Sequence, residues 1–337
     1  MRLVIVTDAW KPQVNGVVTT ITQTAGELRE MGHQISLLTP QNYRSVACPV
    51  YKEIRLSVFA RKQVYQYLDI TAPDAVHIAT EGPLGAAART WCLRNEFPFA
   101  SSFHTQFPEY IRMRAPVPPA LTYRLLRRFH SASHTTLVRS GSQKKMLESR
   151  GFENLKVWPG AVDTELFRPR GKGALNLPRP VSMYMGRVAL EKGIDQFLQL
   201  DLPGSKVVIG DGPELGALKN SFPEAHFLGQ KHGEELAELV SAADVFVFPS
   251  KTDTLGLAMI EAMACGVPVA AFPVPGPQDV ITEGSNGAMD DDLKAAVFRA
   301  FQLDSESCIE FAGNHSWQRS SQFFLNCQRS LRARHFA

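Results

Sequence analysis

The stretch Pro249-Ser250-Lys251-Thr252-Asp253-Thr254-Leu255-Gly256-Leu257-Ala258-Met259-Ile260-Glu261-Ala262-Met263-Ala264-Cys265-Gly266-Val267-Pro268-Val269 decides the fold. It leaves the apolar run Val245–Phe248, turns through a polar loop, opens a helix near Gly256, stops it at Gly266 and enters another β-branched run. Strand, loop, helix and strand in that order form the unit of a parallel sheet covered by helices. Asp253 falls in the loop and Glu261 on the helix, so both can line one wall of a cleft, and the first N–H groups of the helix point at the same place. Two carboxylates there accept hydrogen bonds from sugar or ribose hydroxyls. The plainer reading is a helix cap and a solvated acid.

The same grammar extends in both directions. Upstream lie strands Val181–Met185, Lys206–Ile209 and Ala225–Leu228, and Val267–Ala271 follows. Gly186-Arg187-Val188-Ala189-Leu190-Glu191-Lys192-Gly193 comes just past the first of these, at a carboxyl end where ligands bind in open α/β sheets. Arg187 and Lys192 there suit a diphosphate, unless they are ordinary surface charge. Arg168-Pro169-Arg170-Gly171-Lys172-Gly173, with Pro178 and Pro180 close behind, reads as a linker. Before it a first series runs through strand Arg2–Thr7, a helix carrying Val18, Ile21, Ala25 and Leu28, and strand Gln34–Thr39. Strand Ala75–Ile78, helix Gly85–Arg94, strand Phe99–Phe103, strand Thr136–Val138 and helix Ser142–Ser149 follow. The expected architecture is α/β, two facing Rossmann-like domains with parallel sheets and the ligand cleft between them. The domains are expected at 1–170 and 171–315, with a last helix over 316–337 packing back on the first domain. The first loop, Asp8 to Val17, holds one glycine, Gly16, rather than G-x-G-x-x-G, which disfavours a nicotinamide dinucleotide. Its helix N-terminus suits an anion, although Asn15-Gly16 also reads as an ordinary turn.

A chain of 337 residues, 44% hydrophobic and 20% charged, is long enough for two cores and ordinary for a globular protein. No apolar run approaches the roughly 18 residues of a membrane span. The five cysteines form no C-x-x-C pair and read as reduced thiols, and the start lacks a signal-peptide pattern, so an intracellular location is expected. The net charge of +3 conceals an asymmetry: residues 1–170 carry 22 basic and 13 acidic residues, the remainder 14 basic and 20 acidic. A basic half serves nucleic acid, an anionic membrane or a phosphorylated ligand. No nucleic-acid-binding module is recognisable, so nucleic acid is not an expected partner.

Between Tyr110 and His130 stand Arg112, Arg114, Arg124, Arg127 and Arg128 with no acid, and Leu121, Leu125 and Phe129 recur at helical spacing. A basic amphipathic helix of this kind lies on an anionic membrane, while the alternative is a core-facing stripe with a solvated basic face. Met289-Asp290-Asp291-Asp292-Leu293 offers a D-x-D metal pattern, but N-capping of the helix through Leu293, Ala296, Val297 and Ala300 explains it better.

The phrase from Asp253 to Glu261 resembles the E-x7-E signature of retaining GT-B glycosyltransferases of family 4, with Asp253 in place of the first glutamate. Gly186-Arg187 to Lys192-Gly193 is similar to their G-R-x4-K-G clamp, and Gly210-Asp211-Gly212-Pro213 to their G-D-G-P turn. Ser102-Phe103-His104-Thr105-Gln106-Phe107-Pro108 resembles the F-H-T segment of mannosyltransferase-like and sulfoquinovosyldiacylglycerol synthase-like members. Val162-Asp163-Thr164-Glu165-Leu166-Phe167-Arg168-Pro169 resembles the phrase closing their first domain. One departure is Gly160-Ala161, where related members often have Arg-Gly. The resemblance implies a GT-B fold and transfer of a hexose, with retention, from a GDP-mannose or UDP-sugar donor to a hydroxyl of a lipid such as diacylglycerol or of a glycan. It implies that Gly16 approaches the donor phosphate and that Arg187 and Lys192 neutralise the diphosphate. Asp253 and the backbone of Thr254, Leu255, Gly256 and Leu257 would hold the sugar, Glu261 the ribose, and His104 would contact the transferred sugar. No metal or other cofactor is implied, because the cations and helix N-termini supply the charge. A lipid acceptor would place the enzyme at the inner membrane surface, peripherally bound on the cytoplasmic side. A nucleotide-sugar epimerase of the same architecture and a two-lobed sugar-binding protein are the alternatives.

Overall fold

The computed structural model describes residues 1–11, 13, 15–48, 55–114 and 117–335, with Tyr110, Met113, Arg114 and 332–335 given by their backbone alone. The chain divides into two compact units, Met1–Pro159 with Trp317–Ala337, and Gly160–Ser316.

In the first unit the strands are β1 (Arg2–Val6), β2 (Gln34–Leu38), a hairpin of β3 (Ser45–Ala47) and β4 (Arg55–Ser57), β5 (Ala75–Ile78), β6 (Phe99–Phe103), β7 (Thr135–Val138) and β8 (Leu155–Val157). Six of them form a parallel sheet in the order β2-β1-β5-β6-β7-β8. Strands β5, β6 and β7 are buried at every position, as a parallel sheet covered on both faces requires. The helices are α1 (Gly16–Glu30), α2 (Arg61–Thr71), α3 (Pro83–Arg94), α4 (Phe107–Arg114), α5 (Pro119–His130) and α6 (Gly141–Glu148). The Asn15 side chain caps α1, accepting from the N–H groups of Val17 and Val18 at 3.0 Å each, and Val18, Ile21, Ala25 and Leu28 form its buried face.

The second unit holds β9 (Val181–Met185), β10 (Ser205–Ile209), β11 (His226–Gly229), β12 (Val245–Phe248), β13 (Val269–Ala271) and β14 (Gly287–Met289). They form a second parallel sheet, ordered β11-β10-β9-β12-β13-β14. Its helices are α7 (Ile194–Leu198), α8 (Leu215–Ser221), α9 (Gly233–Ser241), α10 (Leu257–Ala264), α11 (Pro277–Val280), α12 (Leu293–Ala300) and α13 (Glu306–Gly313). The last helix, α14 (Trp317–His335), belongs to the first unit. There Phe324, Leu325 and Cys327 are buried with Trp158 and α1 residues Ile21, Ala25 and Leu28. The Gln328 amide donates to His77 Nδ1 on β5 at 3.2 Å, and His77 Nε2 lies 2.8 Å from Ser102 Oγ. Burial pushes the His77 pKa down to about 3, so this ring is neutral.

Two boundaries differ from the sequence reading. The division falls between Pro159 and Gly160 rather than at 170/171, because Val162 and Phe167 are buried in the second unit's core and Val162 bridges to Ser316. Strand β13 starts at Val269 rather than Val267. Pro268 has no N–H to give a ladder, and the Val267 N–H turns back to the Ala262 carbonyl that ends α10.

Candidate active site

The winding of the second sheet reverses between β9 and β12, its first and fourth strands in chain order. In open α/β sheets, ligands bind outside the carboxyl ends of the strands at such a reversal. Arg187 and Lys192 lie on the loop after β9, Asp253 on the loop after β12. Lys192 Nζ reaches Asp253 Oδ1 at 2.6 Å, while Asp253 Oδ2 is buried without a hydrogen-bond partner among the described residues. Arg187 Nη1 is held 3.0 Å from the buried carboxylate of Glu191. Ser250 Oγ and Thr252 Oγ1, from the β12 loop, lie 3.4 and 3.3 Å from the Glu191 carbonyl that accepts from them. The two loops are therefore stitched together by side chains that also position both cations.

The G-D-G-P turn after β10 supports this arrangement from beneath. The Gly186 N–H donates to the Ile209 carbonyl at 2.9 Å, Val188 N–H to Asp211 at 2.8 Å, and Glu214 N–H to Val188 at 3.1 Å. The backbones approach so closely that a Cβ on Gly210 would lie 1.8 Å from the Gly186 oxygen. The motif is thus a buttress for the Arg187–Lys192 loop, and its glycines are needed for that contact.

Helix α10 opens at Gly256, which has φ +84°, a left-handed conformation that L side chains resist. No side chain caps its first turn, so its leading amides remain an anion- or hydroxyl-binding end. Leu255 is buried in the core, leaving its main chain for the loop. Glu261 lies on α10, and burial pushes its pKa up to about 7. Of the acids in the D-x-D pattern, Asp292 accepts from the Lys294 N–H at the start of α12 and Asp290 pairs with Arg299 at 2.8 Å.

The remaining predicted residues lie in the first unit. Gly16 is the exposed first residue of α1, beside the Asn15 cap. His104 follows β6 and is buried, with its ring 5.8 Å from that of Trp158. Burial, aided by nearby Arg139, holds its pKa well below the usual histidine range, so the ring is a neutral hydrogen-bonding group.

Three features escaped the sequence reading. Asp8, just after β1, is buried and accepts from the Thr80 hydroxyl at 3.0 Å and the N–H groups of Leu84 and Gly85 at 2.9 and 3.2 Å. It caps α3, and burial raises its pKa to about 6. Glu191 is the carboxylate that orients Arg187. Arg139 follows β7 with its guanidinium carbon 4.7 Å from the centre of the Trp158 ring, and burial lowers its pKa to about 10. The rule that exposed Arg187, a cation just past a strand's carboxyl end, applies equally to Arg139.

On α5 the arginines Arg124, Arg127 and Arg128 are exposed, and so is Arg112 on α4. The Arg114 side chain lies outside the described residues. Leu121 and Leu125 are 52% and 61% exposed, whereas Tyr123 and His130 are buried. The leucines therefore do not face the core; Phe129, with Ala132, packs partly against it.

The description "Glycosyltransferase Family 4" matches residues 14–166, and "Glycosyl transferases group 1" matches residues 168–295. The chain is 30% identical over 290 residues to the sulfoquinovosyl transferase SQD2 of Arabidopsis thaliana, covering 77% of this chain and 57% of that one. It is 27% identical to a GDP-mannose-dependent alpha-mannosyltransferase of Mycobacterium tuberculosis, covering 86% and 83%. To the alpha-monoglucosyldiacylglycerol synthase of Streptococcus pneumoniae it is 26% identical, covering 97% and 86%. Among solved structures, a sucrose-phosphate synthase from Thermosynechococcus elongatus superposes with a TM-score of 0.77 at 21% identity, over 98% of this chain and 99% of that one, a likeness of fold.

Proposed function

Because the chain belongs to the family 4 glycosyltransferases of GT-B fold, we propose that it moves a hexose from a nucleotide diphosphate sugar to a hydroxyl of a membrane lipid, with retention of the α configuration. The observation that carries this reading is the meeting of Arg187, Lys192 and Asp253 at the switch point of the second sheet. Arg187 and Lys192 stabilise the diphosphate as its bond to the sugar breaks, which makes a divalent metal unnecessary. Asp253 and the uncapped end of α10 hold sugar hydroxyls, and ionised Glu261 accepts from the ribose diol. Gly16 lets the first unit's backbone approach the donor phosphate, and neutral His104 hydrogen-bonds the transferred sugar. The leaving phosphate oxygen takes the acceptor proton on the same face that the acceptor attacks.

Lipid acceptors are named in the streptococcal relative, and α5 supplies a physical reason for one here. Exposed Leu121 and Leu125 beside Arg124 and Arg128 form an apolar and cationic face suited to an anionic bilayer. No helix among the described residues is long and apolar enough to cross a membrane, so the attachment proposed is peripheral, at the cytoplasmic leaflet. The donor is GDP-mannose or a UDP-sugar, the former in keeping with the mycobacterial relative. A thermal-shift panel of nucleotides and nucleotide sugars tests the donor. One ligand at about 100 times its dissociation constant should stabilise by about 2.7 kcal/mol. No response to any nucleoside diphosphate or nucleotide sugar would overturn the reading.

A further inference from the structure

Arg139 combines three properties that a structural arginine does not combine. Its side chain is 4% exposed. Neither terminal guanidinium nitrogen has a hydrogen-bond partner among the described residues, and no ion pair there includes it. Ser140, the next residue, caps α6, so the Arg139 main chain lies at the positive end of a helix. His104, which burial holds neutral, is an electrostatic neighbour of Arg139, and burial alone lowers the Arg139 pKa, with no carboxylate raising it. A buried cation whose two terminal nitrogens carry four unused donors is a large penalty to stability unless something offsets it.

The setting shows where the compensation enters. His104, Arg139 and Trp158 follow three adjacent strands, β6, β7 and β8, at the carboxyl edge of the first sheet, the edge at which ligands bind in open α/β sheets. Trp158 is itself fixed, its indole N–H donating to the Ser320 carbonyl of α14 at 3.2 Å. The guanidinium carbon lies over its ring, 4.7 Å from the centre, and both terminal nitrogens stay without hydrogen-bond partners among the described residues. The Arg139 main chain is fixed too, its N–H donating to Gln143 Oε1 at 2.7 Å. A planar fork with both terminal nitrogens unpartnered suits a two-point hydrogen bond to an oxyanion.

We propose that Arg139, walled by Trp158 and His104, binds an oxyanion carried by one of the enzyme's substrates, a phosphate, sulfonate or carboxylate distinct from the nucleotide's own diphosphate. The inference rests on the glycosyltransferase reading for the word substrate. The anion belongs to the acceptor's head group or to the transferred sugar. The uncompensated guanidinium is a specificity device: a neutral analogue leaves it unpaired and is rejected.

The test is a thermal-shift and calorimetric comparison of the full-length protein with Arg139→Met and Arg139→Lys. The probes are inorganic phosphate, glycerol 3-phosphate for the head group, and hexose 6-phosphate and glucuronate for the sugar, with glycerol and glucose as neutral controls. In anion-free buffer Arg139→Met should melt higher than the parent, because it removes an unpaired buried charge. Glycerol 3-phosphate or a sugar anion should bind the parent at least tenfold more tightly than its neutral control. That preference should vanish in Arg139→Met and fall severalfold in Arg139→Lys, which keeps the charge and loses the fork. Nucleoside diphosphate binding should be unchanged in both variants, which separates this proposal from the donor site. The tighter of the two probe classes identifies the source of the anion. Three results would overturn the proposal: a lower melting point for a folded Arg139→Met, equal anion binding by parent and Arg139→Lys, or a response to inorganic phosphate alone. If Arg139→Met does not fold, the Arg139→Lys comparison decides.

Discussion

The ammonium of Lys192 lies 2.6 Å from the Asp253 carboxylate, joining the loops after the first and fourth strands of the second sheet. Each group is about four-fifths buried, so the pair is a preorganised element rather than a surface contact. In the proposed function a donor diphosphate would compete for the cation as its sugar competes for the carboxylate. Lys192→Ala and Arg187→Ala should each lower kcat by about 10²–10³. Steady-state kinetics check this, and activity should survive chelation of divalent metals. Near-normal turnover in both variants would remove the diphosphate assignment.

The proposed function assigns the sugar to Asp253 and the ribose to Glu261. Glu261→Gln turns a charge-assisted hydrogen bond into a neutral one and should weaken free nucleoside diphosphate by about tenfold. Asp253→Asn should spare that affinity and reduce transfer. Calorimetry with the nucleotide alone separates them, and equal losses would refute the division.

Glu261 also predicts a pH dependence of stability. An acid whose pKa is about 7 folded but near its ordinary value unfolded contributes stability below about pH 4.5. That contribution is lost as pH rises toward 7. Glu261→Gln abolishes the ionisation, so it should stabilise the ligand-free protein at pH 8, by on the order of 2 kcal/mol relative to its effect at pH 5. Urea melts of both proteins at the two pH values measure this. Parallel pH profiles would show that the carboxylate is not penalised by burial.

Gly210 is held within backbone contact of Gly186. Gly210→Ala should therefore lower the melting temperature by several degrees and weaken donor binding through displacement of the Arg187–Lys192 loop. Wild-type donor affinity in a folded Gly210→Ala protein would argue against the buttress.

These consequences divide unevenly between what the sequence displays and what only packing reveals. Strands Ala75–Ile78, Phe99–Phe103, Val181–Met185 and Val245–Phe248 coincide with their apolar runs, because strands buried on both faces are written as unbroken apolar sequence. The three-residue strands β8 and β14 are too short to carry a period, and the helix α2 lies in a polar stretch. Arg187, Lys192 and Asp253 are legible because they follow strand ends, and Glu261 because it lies on the helix that the Asp253 loop opens. Asp8 is not, since its partners Thr80, Leu84 and Gly85 lie far along the chain; Glu191 and Arg139 escape a sequence reading because their importance comes from burial. Gly160 packs against Leu255 and Ile260 of the second unit's core.

The exposed leucines of α5 give the membrane reading its own test. Each arginine near an anionic surface contributes about 1 kcal/mol, an attraction that salt screens. Replacing Arg124, Arg127 and Arg128 by glutamine should reduce co-sedimentation with anionic vesicles at low salt and slow transfer to a vesicle-borne lipid. Donor hydrolysis by water should change little. No vesicle binding at low salt, with efficient transfer to a soluble glycan, would reject the lipid acceptor and leave the sugar transfer intact.

The central claim is retaining transfer from a nucleotide sugar without a metal, and the product tests it most directly. The protein is incubated in chelator with diacylglycerol-containing anionic vesicles and the nucleotide sugar that gives the largest thermal shift. Proton NMR then reads the anomeric configuration of the glycolipid. Stoichiometric release of nucleoside diphosphate and an α-linked hexose are the expected result. A β-linked product, or no nucleoside diphosphate until a divalent metal is added, would contradict it.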